Sequence, residues 1–116
     1  MKLWYNKNCS KSRGAKEILD ENNIEYEIIN YLDARITKEV LLELILKLKN
    51  GKPKELVRLE ESGLTQLEVD NLTNEHIIDL LLFNKKAIQR PLIETENISF
   101  VARPIEIIFD YIKIDK

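Results

Sequence analysis

The sequence predicts an α/β fold, because short β-forming runs alternate with stretches whose apolar residues recur at helical spacing. Residues 2–5 form a β-prone run, and from Ser12 onward apolar residues follow the period of a helix. Residues 25–31 alternate, are rich in β-formers and predict a second strand. A strand, a helix and a strand of these lengths make a βαβ unit, so we expect the two strands to be parallel.

A helical block follows this unit. Thr37 is a candidate N-cap for a helix with one apolar stripe, and helical patterns continue over residues 55–60 and 74–83. The length of the chain suits one ordinary domain. We therefore expect a single domain over residues 1–116, with a helical insertion over 36–84.

Two more strands and a last helix are predicted after the block. Residues 91–94 and 98–101 have the pattern of a hairpin, and Pro104 suits the first position of a helix. The complete order, βαβ, helices, ββα, is that of a thioredoxin-like fold with a helical insertion between its two halves. In such folds the proline that opens the third strand, here Pro91, is the candidate for a cis peptide bond that faces a thiol between the first strand and the first helix.

Composition excludes several classes of function. The chain has 18 basic and 20 acidic residues, well interspersed, so we expect no direct nucleic-acid partner. No apolar run approaches the ~20 residues of a membrane span, and the first residues turn polar too soon for a signal peptide. We expect a cytoplasmic monomer with no membrane partner. One histidine and one cysteine do not make a metal-ligand set, so we expect no metal.

The single cysteine, Cys9, lies where the first strand is predicted to end and the first helix to begin. Lys11 and Arg13 add positive charge, and cations at a helix N-terminus lower a thiol pKa. The exposed amides there, with the hydroxyls of Ser10 and Ser12, are suited to hold a tetrahedral anion. A lone cysteine is otherwise often a small buried hydrophobe. The polar context favours a nucleophile at an anion site.

Arginines are the predicted anion ligands. Arg90 and Arg103 each precede a proline at the start of an element, and a stiff backbone fixes where a planar guanidinium points. Such groups bind oxyanions through two parallel hydrogen bonds. Arg58 and Arg13 are further candidates, whereas Arg35 is interpreted as a solvated surface cation.

Four stretches of the chain resemble the glutaredoxin-linked, ArsC-type arsenate reductases, which share their fold with the Spx-type regulators. They are YNKNCSKSRGAKEIL at the start, ELVRLEE, AIQRPLI and VARPIEII, in that order. The resemblance implies that Cys9 is the nucleophile and that Arg58, Arg90 and Arg103 hold arsenate or arsenite. It also implies no bound cofactor, glutathione as co-substrate and glutaredoxin as partner.

The chain departs from the family pattern at three positions. Tyr5 and Lys7 stand where the family has a histidine and a proline before the cysteine. Ser12 stands where the Spx-type branch has a second cysteine, which excludes an internal disulfide switch. The sequence predicts a thiol-dependent oxidoreductase. Two alternatives stay open: an Spx-like regulator that binds RNA polymerase, and a glutathione-binding thiol transferase without arsenate activity.

Overall fold

The computed structural model describes residues 1–49 and 51–113; Asn50 and residues 114–116 of the predicted domain lie outside the described residues. The strands are β1 (Lys2–Trp4), β2 (Glu27–Ile29), β3 (Leu92–Glu94) and β4 (Ser99–Val101). The α-helices are α1 (Ser10–Glu21), α2 (Lys38–Lys47), α3 (Leu59–Ser62), α4 (Gln66–Asp70), α5 (Asn74–Phe83) and α6 (Ile108–Tyr111). Single 3₁₀ turns cover Pro53–Leu56, Lys85–Ala87 and Ile105–Ile107.

The four strands form one mixed sheet in the order β2-β1-β3-β4. β1 is parallel to β2, with Lys2 opposite Glu27, as the sequence predicted. β3 is antiparallel to both β1 and β4 and places Glu94 opposite Lys2. β1 begins at Lys2, which is paired with Glu94, and ends at Trp4. The chain after Trp4 therefore leaves the sheet at the end far from Glu94, and the loop to Cys9 begins there.

Alternating side chains divide the core between the two faces of the sheet. Leu3 and Ile93 pack with α1 and α6, whereas Trp4 and Leu92 pack with the helices between β2 and β3. The first of those helices, α2, is capped as predicted, because the Thr37 hydroxyl accepts a hydrogen bond from the Val40 N–H at 3.3 Å. In the described ranges, no helix has the length and apolar content needed to cross a bilayer.

The predicted helix over residues 55–60 is wrong, because this segment pairs with a distant one. Val57 lies opposite Ile88 in an antiparallel bridge. The Arg58 N–H donates to the Ala87 carbonyl at 2.6 Å, and the Gln89 N–H donates to the Leu56 carbonyl at 2.7 Å. The extended pairing of 56–58 with 87–89 therefore separates a 3₁₀ turn from the short helix α3.

The predicted last helix is also shorter than expected. Pro104 is extended, with ψ of 159°, and precedes the 3₁₀ turn Ile105–Ile107 rather than opening an α-helix. Only Ile108–Tyr111 is α-helical in the described part of this segment. The peptide bonds before Pro91 and Pro104 are both cis.

Candidate active site

Cys9 is the N-cap residue of α1, at the end of the sheet where β1 finishes. Its carbonyl accepts the first bond of the helix, from the Arg13 N–H at 3.1 Å, and its own N–H donates to the Asn6 carbonyl at 3.0 Å. The residue is only 6% exposed. The thiol is thus fixed at a helix N-terminus, where unpaired amides favour an anion.

The environment of Cys9 favours its thiolate. Burial raises the pKa of the thiol, but the Arg90 guanidinium, the Ser12 N–H and hydroxyl, and the Lys11 N–H lower it to about 7. The Ser12 hydroxyl is fully buried and has no other hydrogen-bond partner in the described residues. At neutral pH a large fraction of Cys9 is therefore the nucleophilic form.

Arg90 interacts with two groups, the Cys9 thiol and the Tyr31 hydroxyl. Although burial lowers the pKa of Arg90, hydrogen bonding and charge interaction with Cys9, and then with Tyr31, raise it above its ordinary value. Tyr31 is fully buried, and its hydroxyl also accepts from the Asn6 amide nitrogen at 3.5 Å. The Nε of Arg90 is buried and has no hydrogen-bond partner in the described ranges. Arg90 thus keeps a free donor beside the nucleophile.

Arg90 also lines a cleft of about 290 Å³, which we call the arginine cleft. Its lining residues are Asn6, Asn8, Leu32, Arg58, Glu61, Lys86 and Arg90. It brings together two of the predicted arginines, Arg58 and Arg90, from segments that the 56–58 and 87–89 pairing holds side by side. The cleft has the size and the charge to hold a small oxyanion, and Arg90, which interacts with Cys9, connects it to the thiol.

Arg58 is not free in this cleft. Its Nε lies 3.6 Å from a Glu60 carboxylate oxygen, and its Nη1 lies 3.5 Å from Glu61 Oε1. Both contacts are ion pairs, but they are long for hydrogen bonds, so the guanidinium retains donors that an anion can engage.

Arg103 lines a different cleft. Its neighbours there include Val57, Gln89 and Val101, around a volume of about 540 Å³. The turn after β4 accounts for the separation: the Arg103 N–H donates to the Val101 carbonyl at 3.0 Å, and Val101 lines the same cleft. The Nε of Arg103 donates to the Arg90 carbonyl at 2.6 Å, so it contacts the backbone of the site from the other side.

The remaining predicted ligands lie around the start of α1. Ser12 faces the thiol, whereas Ser10 is exposed on the first turn. Arg13 is also exposed, and its Nη1 donates to the Lys7 carbonyl at 2.8 Å, which closes the loop around Cys9. Within the described ranges, no three His, Cys, Asp or Glu side chains are grouped to hold a metal ion.

Comparison with known proteins identifies the family. No family model matches the chain. The uncharacterized protein YfgD of Escherichia coli K12 is 28% identical over 97% of this chain and 96% of its own length. An arsenate reductase of Neisseria meningitidis is 28% identical, covering 91% of this chain and 92% of its own. A solved structure of an ArsC-family-related protein from Bacteroides fragilis is 31% identical, with a TM-score of 0.73 over 86% of this chain and 88% of that one. The chain belongs to the ArsC family.

The predicted thioredoxin-like fold is confirmed by these ArsC relatives. Several site residues of this ArsC chain have no sequence signal that marks them. Tyr31 looks like an ordinary strand residue, and Glu61 and Lys86 look like solvated helix residues. They reach the site only because the fold brings residues 6–8, 31, 58–61 and 86–90 together.

Proposed function

We propose that this chain is a thiol-dependent oxidoreductase that reduces arsenate, with Cys9 as the nucleophile. The observation that carries the proposal is the contact of Arg90 with a Cys9 thiol whose pKa is about 7. Two further observations support the proposal: Cys9 lies at the N-terminus of α1, and Arg90 lines the arginine cleft together with Arg58. The arsenate reductase of Neisseria meningitidis supports arsenate as the oxyanion.

In the proposed reaction the Cys9 thiolate attacks the arsenic of a bound arsenate. A sulfur–arsenic bond forms, and one arsenate oxygen leaves as water after it takes up protons from solvent. Arg90 and Arg58 stabilise the negative charge on the oxygens as sulfur adds, because their guanidinium groups are already in place. This step leaves arsenic in its pentavalent state, covalently bound to Cys9.

An external thiol supplies the electrons. The thiolate of glutathione attacks the Cys9 sulfur, the sulfur–arsenic bond breaks, and its electron pair leaves with arsenic as arsenite. Cys9 is then in a mixed disulfide with glutathione, which glutaredoxin reduces by thiol–disulfide exchange. The chain contains one cysteine, so no internal thiol can take the place of glutathione.

Arg103 has a supporting part in this proposal. Through its bond to the Arg90 carbonyl it holds the backbone at the point where Arg90 turns toward Cys9. Its guanidinium becomes an anion ligand only if it leaves the neighbouring cleft when substrate binds.

The test is reduction of arsenate by the purified protein with glutathione, glutaredoxin, glutathione reductase and NADPH. We expect NADPH oxidation that requires arsenate, glutathione and glutaredoxin together and is lost in Cys9→Ser. Arg90→Ala should lower the rate, since it removes the charge next to the nucleophile. Arg35→Ala is the matched control, because Arg35 is exposed. Absence of turnover between pH 6 and 8, with co-purification of RNA polymerase, would contradict the proposal in favour of an Spx-like regulator.

A further inference from the structure

The arginine cleft contains a carboxylate among its cations. Glu61 lines the cleft together with Arg58, Arg90 and Lys86. Its Oε1 lies 3.5 Å from Arg58 Nη1, on the guanidinium that we expect an oxyanion to contact. A carboxylate in an anion site repels any anion that cannot donate a hydrogen bond to it.

The backbone that carries this carboxylate is attached to neighbouring segments. The Arg58 N–H is bonded to the Ala87 carbonyl, so the start of α3 is attached to the 87–89 segment. One turn later, the side-chain amide of Asn84 donates to the Glu61 carbonyl at 2.8 Å. The backbone of α3 is therefore attached at both ends, and the Glu61 carboxylate lines the cleft with Arg58 Nη1 as its partner.

Glu60 is also an acidic residue paired with Arg58, but it lies outside the arginine cleft. It pairs with Arg58 Nε at 3.6 Å, and its side chain is 76% exposed, compared with 40% for Glu61. It is not among the residues that line the arginine cleft. A comparison of substitutions at Glu60 and Glu61 therefore distinguishes the effect of lining the cleft from the effect of pairing with Arg58.

We propose that Glu61 is a specificity-determining residue that selects protonated oxyanions. Arsenate and phosphate retain at least one hydroxyl at neutral pH, and that hydroxyl donates to the Glu61 carboxylate while Arg58, Arg90 and Lys86 bind the other oxygens. Sulfate has no proton to donate at this pH, so its oxygens meet the Glu61 carboxylate with unrelieved repulsion. This inference rests on the proposed binding of an oxyanion in the arginine cleft.

The experiment measures how well each anion protects Cys9 from iodoacetamide, a neutral reagent, at pH 7 and constant ionic strength. Phosphate and sulfate are the probes, since neither is reduced by the thiol. In the wild-type protein, phosphate should protect at a concentration at least about tenfold lower than sulfate. The ratio of the two protecting concentrations is compared within each variant, so any change in the reactivity of Cys9 itself cancels.

Glu61→Gln should bring the phosphate-to-sulfate ratio to within about threefold of unity, mainly because sulfate binds better. Glu60→Gln, the matched control, should leave the ratio as in the wild type. Equal protection by phosphate and sulfate in the wild type would overturn the role of Glu61 while leaving the anion site intact. An equal change of the ratio in Glu60→Gln and Glu61→Gln would also overturn the role of Glu61, because the effect would then come from loss of an ion pair with Arg58. Protection by neither anion would overturn the anion site itself, and with it both proposals.

Discussion

At the scale of single residues, the site depends on the pair formed by Cys9 and Arg90. The sequence was sufficient to select both, because a cysteine before a helix and an arginine before a proline are local patterns. The sequence could not show that Tyr31 interacts with Arg90 or that the buried Ser12 hydroxyl interacts with the thiol. Those contacts depend on which side chains the fold brings within reach of one another.

The pH dependence of Cys9 reactivity follows from this pair. Because the pKa of Cys9 is lowered to about 7, its thiolate fraction rises with pH, and the rate of alkylation by iodoacetamide should be half-maximal near pH 7. Arg90→Gln removes the main group that stabilises the thiolate and should move this midpoint to higher pH. Arg35→Gln should leave it unchanged. A wild-type midpoint at the ordinary value of ~8.5 would contradict the assignment of Cys9 as the nucleophile.

At the scale of elements, the site depends on the pairing of residues 56–58 with 87–89. Helical periodicity predicted a helix through Arg58, but hydrogen bonds from the Arg58 N–H to Ala87 and from the Gln89 N–H to Leu56 override this local preference. The same extended geometry places the side chains of Arg58 and Arg90 in one cleft and those of Val57 and Gln89 in the other. Sequence alone could not assign Arg103 to the second cleft, because that depends on the register of β4 and the turn after it.

Asn84 should couple the position of α3 to anion binding. Its side chain links the end of α5 to the Glu61 carbonyl, so Asn84→Ala should destabilise the protein by about 1 kcal/mol, as expected for one hydrogen bond. It should also weaken protection of Cys9 by phosphate, since Glu61 and Arg58 lose a fixed position. The midpoint of alkylation should not move, because Asn84 does not contact the thiol.

The control for this variant is Asn71→Ala. Asn71 follows the last residue of α4, its side chain donates to the Leu67 carbonyl at 2.9 Å, and it does not line the arginine cleft. It should cost similar stability without changing phosphate protection. Equal loss of protection in both variants would show that general destabilisation, rather than the position of α3, controls anion binding.

At the scale of the whole molecule, the sheet separates a reactive end from a structural one. Cys9 follows β1 at one end, and Glu94 lies beside the start of β1 at the other. There the Glu94 side chain is only 7% exposed; it accepts from Lys47 Nζ at 2.7 Å and from Trp4 Nε1 at 3.4 Å. The strands and their succession along the chain were predictable from sequence, because periodicity and turns are local. The buried ion pair of Lys47 and Glu94 was not predictable. The two residues belong to distant elements, and in the sequence each has the pattern of a solvated position.

Removing one partner of that pair should destabilise the protein without affecting the thiol. Lys47→Met leaves a buried carboxylate without its cation and should lower the free energy of unfolding by on the order of 3 kcal/mol, measured by urea denaturation. Adding Glu94→Gln to it should recover most of this loss, because the neutral amide still accepts from Trp4 and no charge remains buried. Both proteins should keep the wild-type pH midpoint of Cys9 alkylation, since the pair lies at the other end of the strands. A double variant no more stable than Lys47→Met would show that Lys47 acts through packing of its aliphatic chain and its bond to the Thr95 carbonyl, rather than through the charge of Glu94.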